Sequence, residues 1–555
     1  MKKLWIVFIF IALGLQAQWT DNPAVSTVIN ATPGSKYVPK IAVTPDGNYF
    51  FSWYGGSGNL DMNMAHFDHS GVAIWPMGGS IKVSTHPQNS WVDDYSMTTD
   101  MEGNAIVVFS DIRDGSKSVV AYKVDGEGNQ LWGDDGVFFS LPSSADYQPQ
   151  VVVTPENDVY VFHSTGYSNG NDNKIILHKI LADGSLPWGT SGKQFGGAFG
   201  VNWSFPVGKA NDDGGITIGF FKETGNFPAL QRELATFRCD ADGELLWGAT
   251  MVTDAGGISA WDDLMMHGNG TGGAYFLWHD DRYFNNTYEV YSQYVDGEGT
   301  AMWYPNGLLM AVEVSGHQIY EIPAGVNNSG EFVAFWNRLN SNQSAGSLVY
   351  QRVSPEGDLL ETNAGKTILP ISDRMQNGLY AEQVGDSTFF LYRYFLEGSS
   401  VNTSFNMLAL DATGNQLWPG PVEMVNSPID RSHADLSAFH TNQAVVCWSD
   451  NWLGSDRVMA QNIFVDGSLG SSPVAVEEIA TKSYQYFIGL NDRNKTLSLQ
   501  NLEIGDELKI FNMQGSEVFS INAENQVVLN RYLKGMYIAV LVRDGKYLEQ
   551  YKFVL

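Results

Sequence analysis

The chain holds only two cysteines in 555 residues, Cys239 and Cys447. That is too few for the disulfide framework on which small exported domains rely. Basic residues are also scarce, with 32 Lys and Arg against 61 Asp and Glu, for a formal net charge of −29. So acidic a surface repels nucleic acid and anionic lipid, and no nucleic-acid partner is expected. Past the first 15 residues no apolar run approaches the ~18 residues that mark a membrane-spanning helix, so no transmembrane anchor is expected either. The ten histidines form no His-x-x-x-His pair and no Glu-bearing zinc signature, which leaves no metal centre to name. Gly-x-Ser-x-Gly elbows, phosphate loops and dinucleotide fingerprints are missing as well.

A repeat fills most of the chain. Gly and Trp stand four residues apart at Gly71–Trp75, Gly128–Trp132, Gly184–Trp188, Gly243–Trp247, Gly299–Trp303 and Gly414–Trp418. Gly357–Glu361 and Gly467–Ser471 keep step without the Trp. The period is roughly 56 residues, the signature of one supersecondary unit used many times. Each unit opens on a tight-turn residue (Gly47, Gly103, Asn157, Gly214, Gly272, Gly330, Asp386, Asn442), followed by an apolar run such as Ala105-Ile106-Val107-Val108-Phe109. Runs of that length bounded by turns suit strands buried on both faces. A polar loop, a third strand, an Asp/Gly hairpin and the Trp-bearing strand complete the unit. No stretch shows helical periodicity.

Four hairpin-connected strands repeated in this way predict an all-β chain whose main body, residues 18–470, is an eight-bladed β-propeller of ~56-residue blades, with seven blades as the alternative. A blade alone cannot cover its own faces, so the ring has to close. The last unit ends at Val465-Asp466-Gly467-Ser468 without an outer strand, and Ala24-Val25-Ser26-Thr27-Val28 resembles that strand in other units. The N-terminal piece is expected to complete the last blade. Cys239 and Cys447 then lie in opposite units, beyond the about 7 Å that a disulfide allows, and both thiols are expected to be free.

The Asp-x-x-Gly-x-x-x-Trp turn, clearest at Asp411 to Trp418, resembles the tryptophan-docking motif of quinoprotein propellers and the Asp-box of sialidase-type propellers. Both likenesses concern scaffold turns, so neither carries an activity.

The two ends are different. Met1-Lys2-Lys3, the apolar run Leu4 to Leu15 and Gln16-Ala17-Gln18 form a basic region, a short apolar core and a cleavage site. Residues 1–17 are read as a secretory signal peptide. Beyond a linker at 471–483, residues 484–555 show short strands separated by Asn, Gln and Gly turns, which predicts a small Ig-like β-sandwich. Ile510-Phe511-Asn512 with Gly515, Leu533-x-Gly535-Met536-Tyr537 and a last strand carrying Lys552 resemble the type A C-terminal sorting domain of the type IX (Por) secretion system of Bacteroidetes. The resemblance implies the type IX secretion machinery as partner, passage through the outer membrane, and a product that is secreted or held on the outer cell surface.

Ligands of propellers meet the mouth of the central channel. Loops entering the innermost strands carry Tyr37, Trp91, Tyr147, Trp203, Trp261 and Tyr320; loops after the second strands carry Arg113, Glu223, His279, Asp280, Asp281, Arg282, Arg338, Arg393 and Asp450. Aromatic rings stack on sugars or peptide side chains, and guanidinium groups grip carboxylates. Carboxylates at Asp93/Asp94, Asp262/Asp263 and Asp280/Asp281 could share acid–base work only across blades, because neighbours on a strand face opposite ways. Asn169-Gly170-Asn171-Asp172-Asn173 is oxygen-rich but lacks EF-hand spacing; calcium is the one cofactor considered. Two functions remain: a non-catalytic module binding an extracellular glycan or protein, or a secreted hydrolase or lyase of acidic polysaccharide.

Overall fold

The computed structural model describes residues 18–470 and 487–554, apart from 57–59, 76–78, 89–94, 140–143, 168–171, 197, 226–228, 261, 263, 313–317, 320–321, 373, 396–402, 427–430, 451–456, 492–495, 500, 504, 513–516, 530–535 and 544–545. The chain divides into two units, Met1–Ser472 and Pro473–Leu555. Among the described residues there is no helix, and none therefore that is long and apolar enough to cross a membrane.

The first unit is a β-propeller. Among the described residues it contains eight antiparallel sheets, one for each sequence repeat. Seven follow in chain order, spanning 35–88, 96–138, 144–196, 201–253, 265–309, 318–369 and 375–425. We number these blades 1 to 7. Blade 8 takes its inner three strands from Arg431–Leu436, Gln443–Asp450 and Arg457–Phe464. Its outer strand is Thr27–Asn30, with Thr27 opposite Ala460 and Val28 opposite Met459. Blade 8 then packs on blade 1: Gln443 Nε2 donates to the Tyr49 hydroxyl at 2.9 Å, and Ile41 N–H donates to Asp435 at 2.9 Å. Tyr49, Phe51, Val445 and Cys447 share one apolar cluster across that seam.

Antiparallel order sends the loops to two ends. Turns between strands one and two, and between three and four, gather at one end. Loops between strands two and three, with the connections from blade to blade, gather at the other. The turn end is locked by a repeated contact. Trp75 Nε1 donates to the Gly126 carbonyl of the next blade at 2.7 Å, Trp247 to Gly297 at 2.8 Å, and Trp303 to Pro355 at 3.1 Å. Trp132 and Trp418 do the same at 3.2 Å, to Ala182 and Val465. The ring lies on the glycine two residues further on, so a Cβ on Gly299 would sit 2.6 Å from Trp247. That glycine also has φ of +82°, a left-handed conformation that L side chains avoid.

Two repeats lack the Trp, and the fold replaces it twice. In blade 6 the ring of Tyr350 takes the place, 2.5 Å from a Cβ on Gly414. At the last seam Trp19 donates to the His69 carbonyl at 2.8 Å and covers Gly71. The segment 19–30 therefore supplies blade 8 with both its outer strand and its locking indole. Both cysteines are free and buried, Cys239 in blade 4 and Cys447 in blade 8. Burial pushes the Cys239 thiol up to about 12 and raises Cys447 well above the usual thiol range.

The second unit contains a three-stranded sheet (Phe487–Asn491, Thr496–Leu499, Gln526–Val528) and a four-stranded sheet (Glu517–Asn522, Glu507–Asn512, Met536–Arg543, Lys546–Val554). They share a core of Leu497, Leu499, Leu508, Ile510, Tyr537 and Leu541. Tyr537 is thus a core residue, while Lys552 lies on the final strand opposite Ile538. Gly515 and Gly535 lie outside the described residues.

Candidate functional site

The open end begins where the inner strands bulge. Ladder register slips at Tyr37/Lys40, Tyr147/Gln150, Ser204/Val207 and Ser432/Asp435, each time beside a residue with positive φ: Val38, Gln148, Phe205 and His433 at 50–54°. Such bulges re-aim the side chains on either side of them.

The rim aromatics that the structure describes are packed. Trp203 stacks on Phe220, with centroids 4.1 Å apart, inside the cluster between blades 3 and 4. Tyr147 lies under the Lys117 ammonium at 4.7 Å, and Tyr37 is half-buried against the blade 1–2 cluster. Trp91, Trp261 and Tyr320, like Asp93, Asp94 and Asp263, lie outside the described residues.

The rim arginines divide into two kinds. Arg113 is clamped on Asp111 by Nε at 2.8 Å and by a terminal nitrogen at 2.6 Å, and also reaches the Tyr122 hydroxyl. Arg282 grips Asp280 at 2.9 and 2.7 Å, with its guanidinium 3.3 Å above the Tyr291 ring. Both are neutralised within their own blade. Arg338 donates to the Ala364 carbonyl and Arg393 lies over Phe395 at 4.5 Å, each with a buried Nε that has no acceptor. Among the described residues neither faces a carboxylate. Burial lowers the Arg338 pKa. The two are linked through their neighbours, since Asn337 donates to Asn377, the cross-strand partner of Arg393, at 3.3 Å.

A polar group joins blades 4 and 5. Glu223 accepts from Arg232 Nε and from the Ser204 hydroxyl, both at 2.6 Å. Arg232, sandwiched against Phe205 and Phe221, donates onward to the carbonyl of Ser259 at 2.9 Å and that of Asp262 at 3.3 Å. Asp262 in turn holds His279 Nε2 at 2.5 Å, and the imidazole edge meets Tyr288, centroids 5.5 Å apart. Burial raises the Asp262 pKa against the hydrogen bond from His279, and burial followed by the Asp262 charge raises that of Tyr288. With Nε2 tied to the carboxylate, the remaining acceptor of a neutral imidazole is Nδ1, which is buried and without a partner. The imidazole is thus oriented by Asp262 and set edge-on to the Tyr288 ring.

The first strands of three blades carry charges besides the rim residues. Lys209, His267 and Glu382, on the first strands of blades 4, 5 and 7, are half-exposed yet surrounded by protein. Burial, opposed by the Lys209 charge, lifts Glu382 to about 7; burial lowers Lys209 and, with Lys209 beside it, brings His267 down to about 3. Lys209 and His267 each stand five residues before their turn glycine, Gly214 and Gly272. Aligning the inner strands on that turn is the signal that would have found them.

Among the described residues no three His, Cys, Asp or Glu side chains cluster as metal ligands. In the oxygen-rich loop, Asp172 and Asn173 each carry a buried Oδ1 with no partner among the described residues; Asn169, Gly170 and Asn171 lie outside them.

No family model matches the chain, and no curated protein is similar to it. Several solved structures are. A PL25 ulvan lyase bound to -[GlcA(1-4)Rha3S]- aligns over 83% of this chain and 97% of its own, at 10% identity and a TM-score of 0.42. The polysaccharide lyase Uly1 aligns over 82% and 94% at 12% identity, TM-score 0.38. The α-L-arabinanase of Penicillium chrysogenum complexed with arabinobiose aligns over 80% and 100% at 11% identity, TM-score 0.34. The fold itself, all-β with four-stranded antiparallel sheets in a repeated arrangement, is read from this chain's own strand order.

Proposed function

We propose that this chain is an exported propeller that binds an extracellular glycan, or a protein, at its open end. The reading is carried by the difference between the two ends. Repeated indoles and glycines use up the turn end, whereas the open end presents half-buried cations (Arg338, Arg393) without carboxylates among the described residues. In a chain with net charge −29, a half-buried cation that faces no carboxylate among the described residues is a place where an acidic ligand gains most. Delivery follows from the two termini: residues 1–17 as a secretory signal, residues 484–555 as a type IX sorting module that brings the propeller to the cell surface or releases it.

A glycan array and a pull-down of surface extract test the binding. Joint replacement of Arg338 and Arg393 by Gln is expected to weaken capture of acidic ligands at least tenfold. Capture that is indifferent to both changes, and to salt, removes this reading. Fusion of residues 484–555 to a periplasmic reporter tests the sorting; a reporter left in the periplasm of a type IX-competent strain defeats it.

A second reading, hydrolysis or lyase cleavage of acidic polysaccharide, is favoured by one observation, the Asp262–His279–Tyr288 group. In that role His279 would take a proton and Tyr288 would give one. A panel of acidic polysaccharides assayed for new reducing ends and for unsaturated products decides it. No turnover by the full chain on any of them, with and without calcium, ends the enzymatic reading.

A further inference from the structure

Blades 2 and 5 make the same turn after their second strands. Each opens on Asp-x-Arg, with Arg113 clamped on Asp111 and Arg282 on Asp280. In blade 2 the Gly115 N–H then donates to the Ile112 carbonyl at 3.0 Å; in blade 5 the Phe284 N–H donates to the Asp281 carbonyl at 2.9 Å. The closing residue is left-handed in both, with φ of +90° at Gly115 and +51° at Phe284. Glycine takes that conformation freely, whereas a bulky aromatic residue takes it at a cost. Beside it, Tyr283 stands where blade 2 has Asp114.

Burial does not offset that cost. Phe284 is 72% exposed and Tyr283 70%, and among the large apolar side chains of the described residues only Phe199 is more exposed. The tip of the Phe284 ring points at Gly256, where an added Cβ would lie 3.6 Å away. The loop is nevertheless firmly held. The Asp281 carboxylate accepts from the N–H groups of Asn285 at 2.9 Å and Asn286 at 2.8 Å, and the Asp281 N–H donates to the Gly257 carbonyl at 3.0 Å. Two rings are thus held out in a fixed place, and little freedom is lost when a ligand settles on them. The feet of this loop, His279 and Tyr288, stand with ring centroids 5.5 Å apart, so the rings rise from the Asp262–His279–Tyr288 group.

We infer that Tyr283 and Phe284 form a stacking platform for a pyranose ring of an extracellular glycan. The C–H face of the sugar lies on an aromatic ring, while the Tyr283 hydroxyl and the exposed amides of Asn285 and Asn286 meet its hydroxyls. A protein partner fits less well. Two aromatic rings offer at most about 500 Å², against the ~800 Å² per side of a stable protein interface. The residues around them, Asp281, Arg282, Asn285, Asn286 and Thr287, are polar. Stacking needs no charge, so the platform takes pyranose rings as such, acidic or neutral. The inference rests on the glycan reading above and adds the place where a sugar ring is seated.

Affinity electrophoresis of the full chain through gels holding laminarin, xylan, mannan, pectin or alginate tests it. At least one polysaccharide is expected to retard the chain. Joint Tyr283→Ala and Phe284→Ala replacement is expected to weaken that binding about tenfold, and Phe284→Trp to preserve it. Phe284→Gly, which installs the residue that blade 2 uses, should lose binding while its unfolding midpoint holds or rises. A midpoint that falls in Phe284→Gly would mean that the ring serves the fold, and overturns the inference. Equal retardation of the double variant and the native chain does the same, as does a dimer in sedimentation velocity that the double variant dissociates. Capture of protein alone, with no polysaccharide retarding the chain, also overturns it. If joint replacement of Arg338 and Arg393 abolishes glycan capture while the Tyr283 and Phe284 double variant captures normally, the inference falls and the wider reading stands. Absence of binding to every glycan and protein tested ends both.

Discussion

The two ends of the propeller are built from the same strands and obey different rules. At the turn end one contact is made eight times: an aromatic ring from one blade lies on the left-handed glycine of the next. Where the sequence omits the Trp, Tyr350 and Trp19 restore the contact from other places in the chain. At the open end a single register position carries Gly55, Asp111, Asp280, Arg338 and Asp450 in different blades. Uniformity marks the end where every blade needs the same neighbour contact. Variation marks the end where blades differ in what they meet.

The largest test of that contrast is Trp19→Ala. It removes a buried indole and the last lock of the ring, and should cost about 3–5 kcal/mol in urea unfolding. A loss near zero would mean that Thr27–Asn30 closes the ring alone. Glu223→Ala leaves the Arg232 guanidinium buried without its carboxylate and should cost about 3 kcal/mol, the open end's most expensive single change. Gly299→Ala, which sets a Cβ against Trp247 at positive φ, should cost about 1–3 kcal/mol. Equal tolerance of Gly299→Ala and of Ala at an exposed open-end glycine would erase the distinction between the ends.

Two pH effects sharpen the picture. The hydrogen bonds from Arg543 hold the Asp506 carboxyl below its usual range. A depressed carboxyl stabilises the fold above its ordinary pKa and gives up that stability as pH falls through the lower folded value. The second unit should therefore lose stability on acidification, and Asp506→Asn should flatten the loss as followed by its unfolding midpoint. Glu382 works in the opposite sense: its folded value is raised from 4.5 to about 7. Its contribution is full below 4.5 and is lost as pH rises to 7, so Glu382→Gln should raise the midpoint at pH 8 relative to pH 5 by a small margin. An unchanged difference would show Glu382 to be fully hydrated.

Much of this was legible in residue order. Strand runs such as Ala105 to Phe109 and turn glycines at fixed spacing place four strands in every unit, because period and turn chemistry are local properties. The search for an outer strand after Trp-like spacing pointed to Ala24–Val28, and the ladder runs from Thr27 to Asn30; strand ends depend on the partner, not on the strand itself. Trp19 went unrecognised as a locking residue because it stands outside the Gly-to-Trp register. The site was less legible. Residue order puts an Asp two places before Arg113 and before Arg282, but only the folded chain shows each Asp clamped on its Arg. Trp203 reads as a rim ring and is held by Phe220 instead. Lys209, His267 and Glu382 sat in unremarkable strands until the ring turned those strands inward.

Sequence alone determined the repeat, its turns, its all-β character and the contrast between the long body and the short C-terminal module, since each follows from spacing along the chain. Tertiary structure decided which charges are spent and which are available. That depends on side chains meeting through space, as when Asp111 and Asp280 clamp Arg113 and Arg282 while Arg338 and Arg393 face no carboxylate among the described residues.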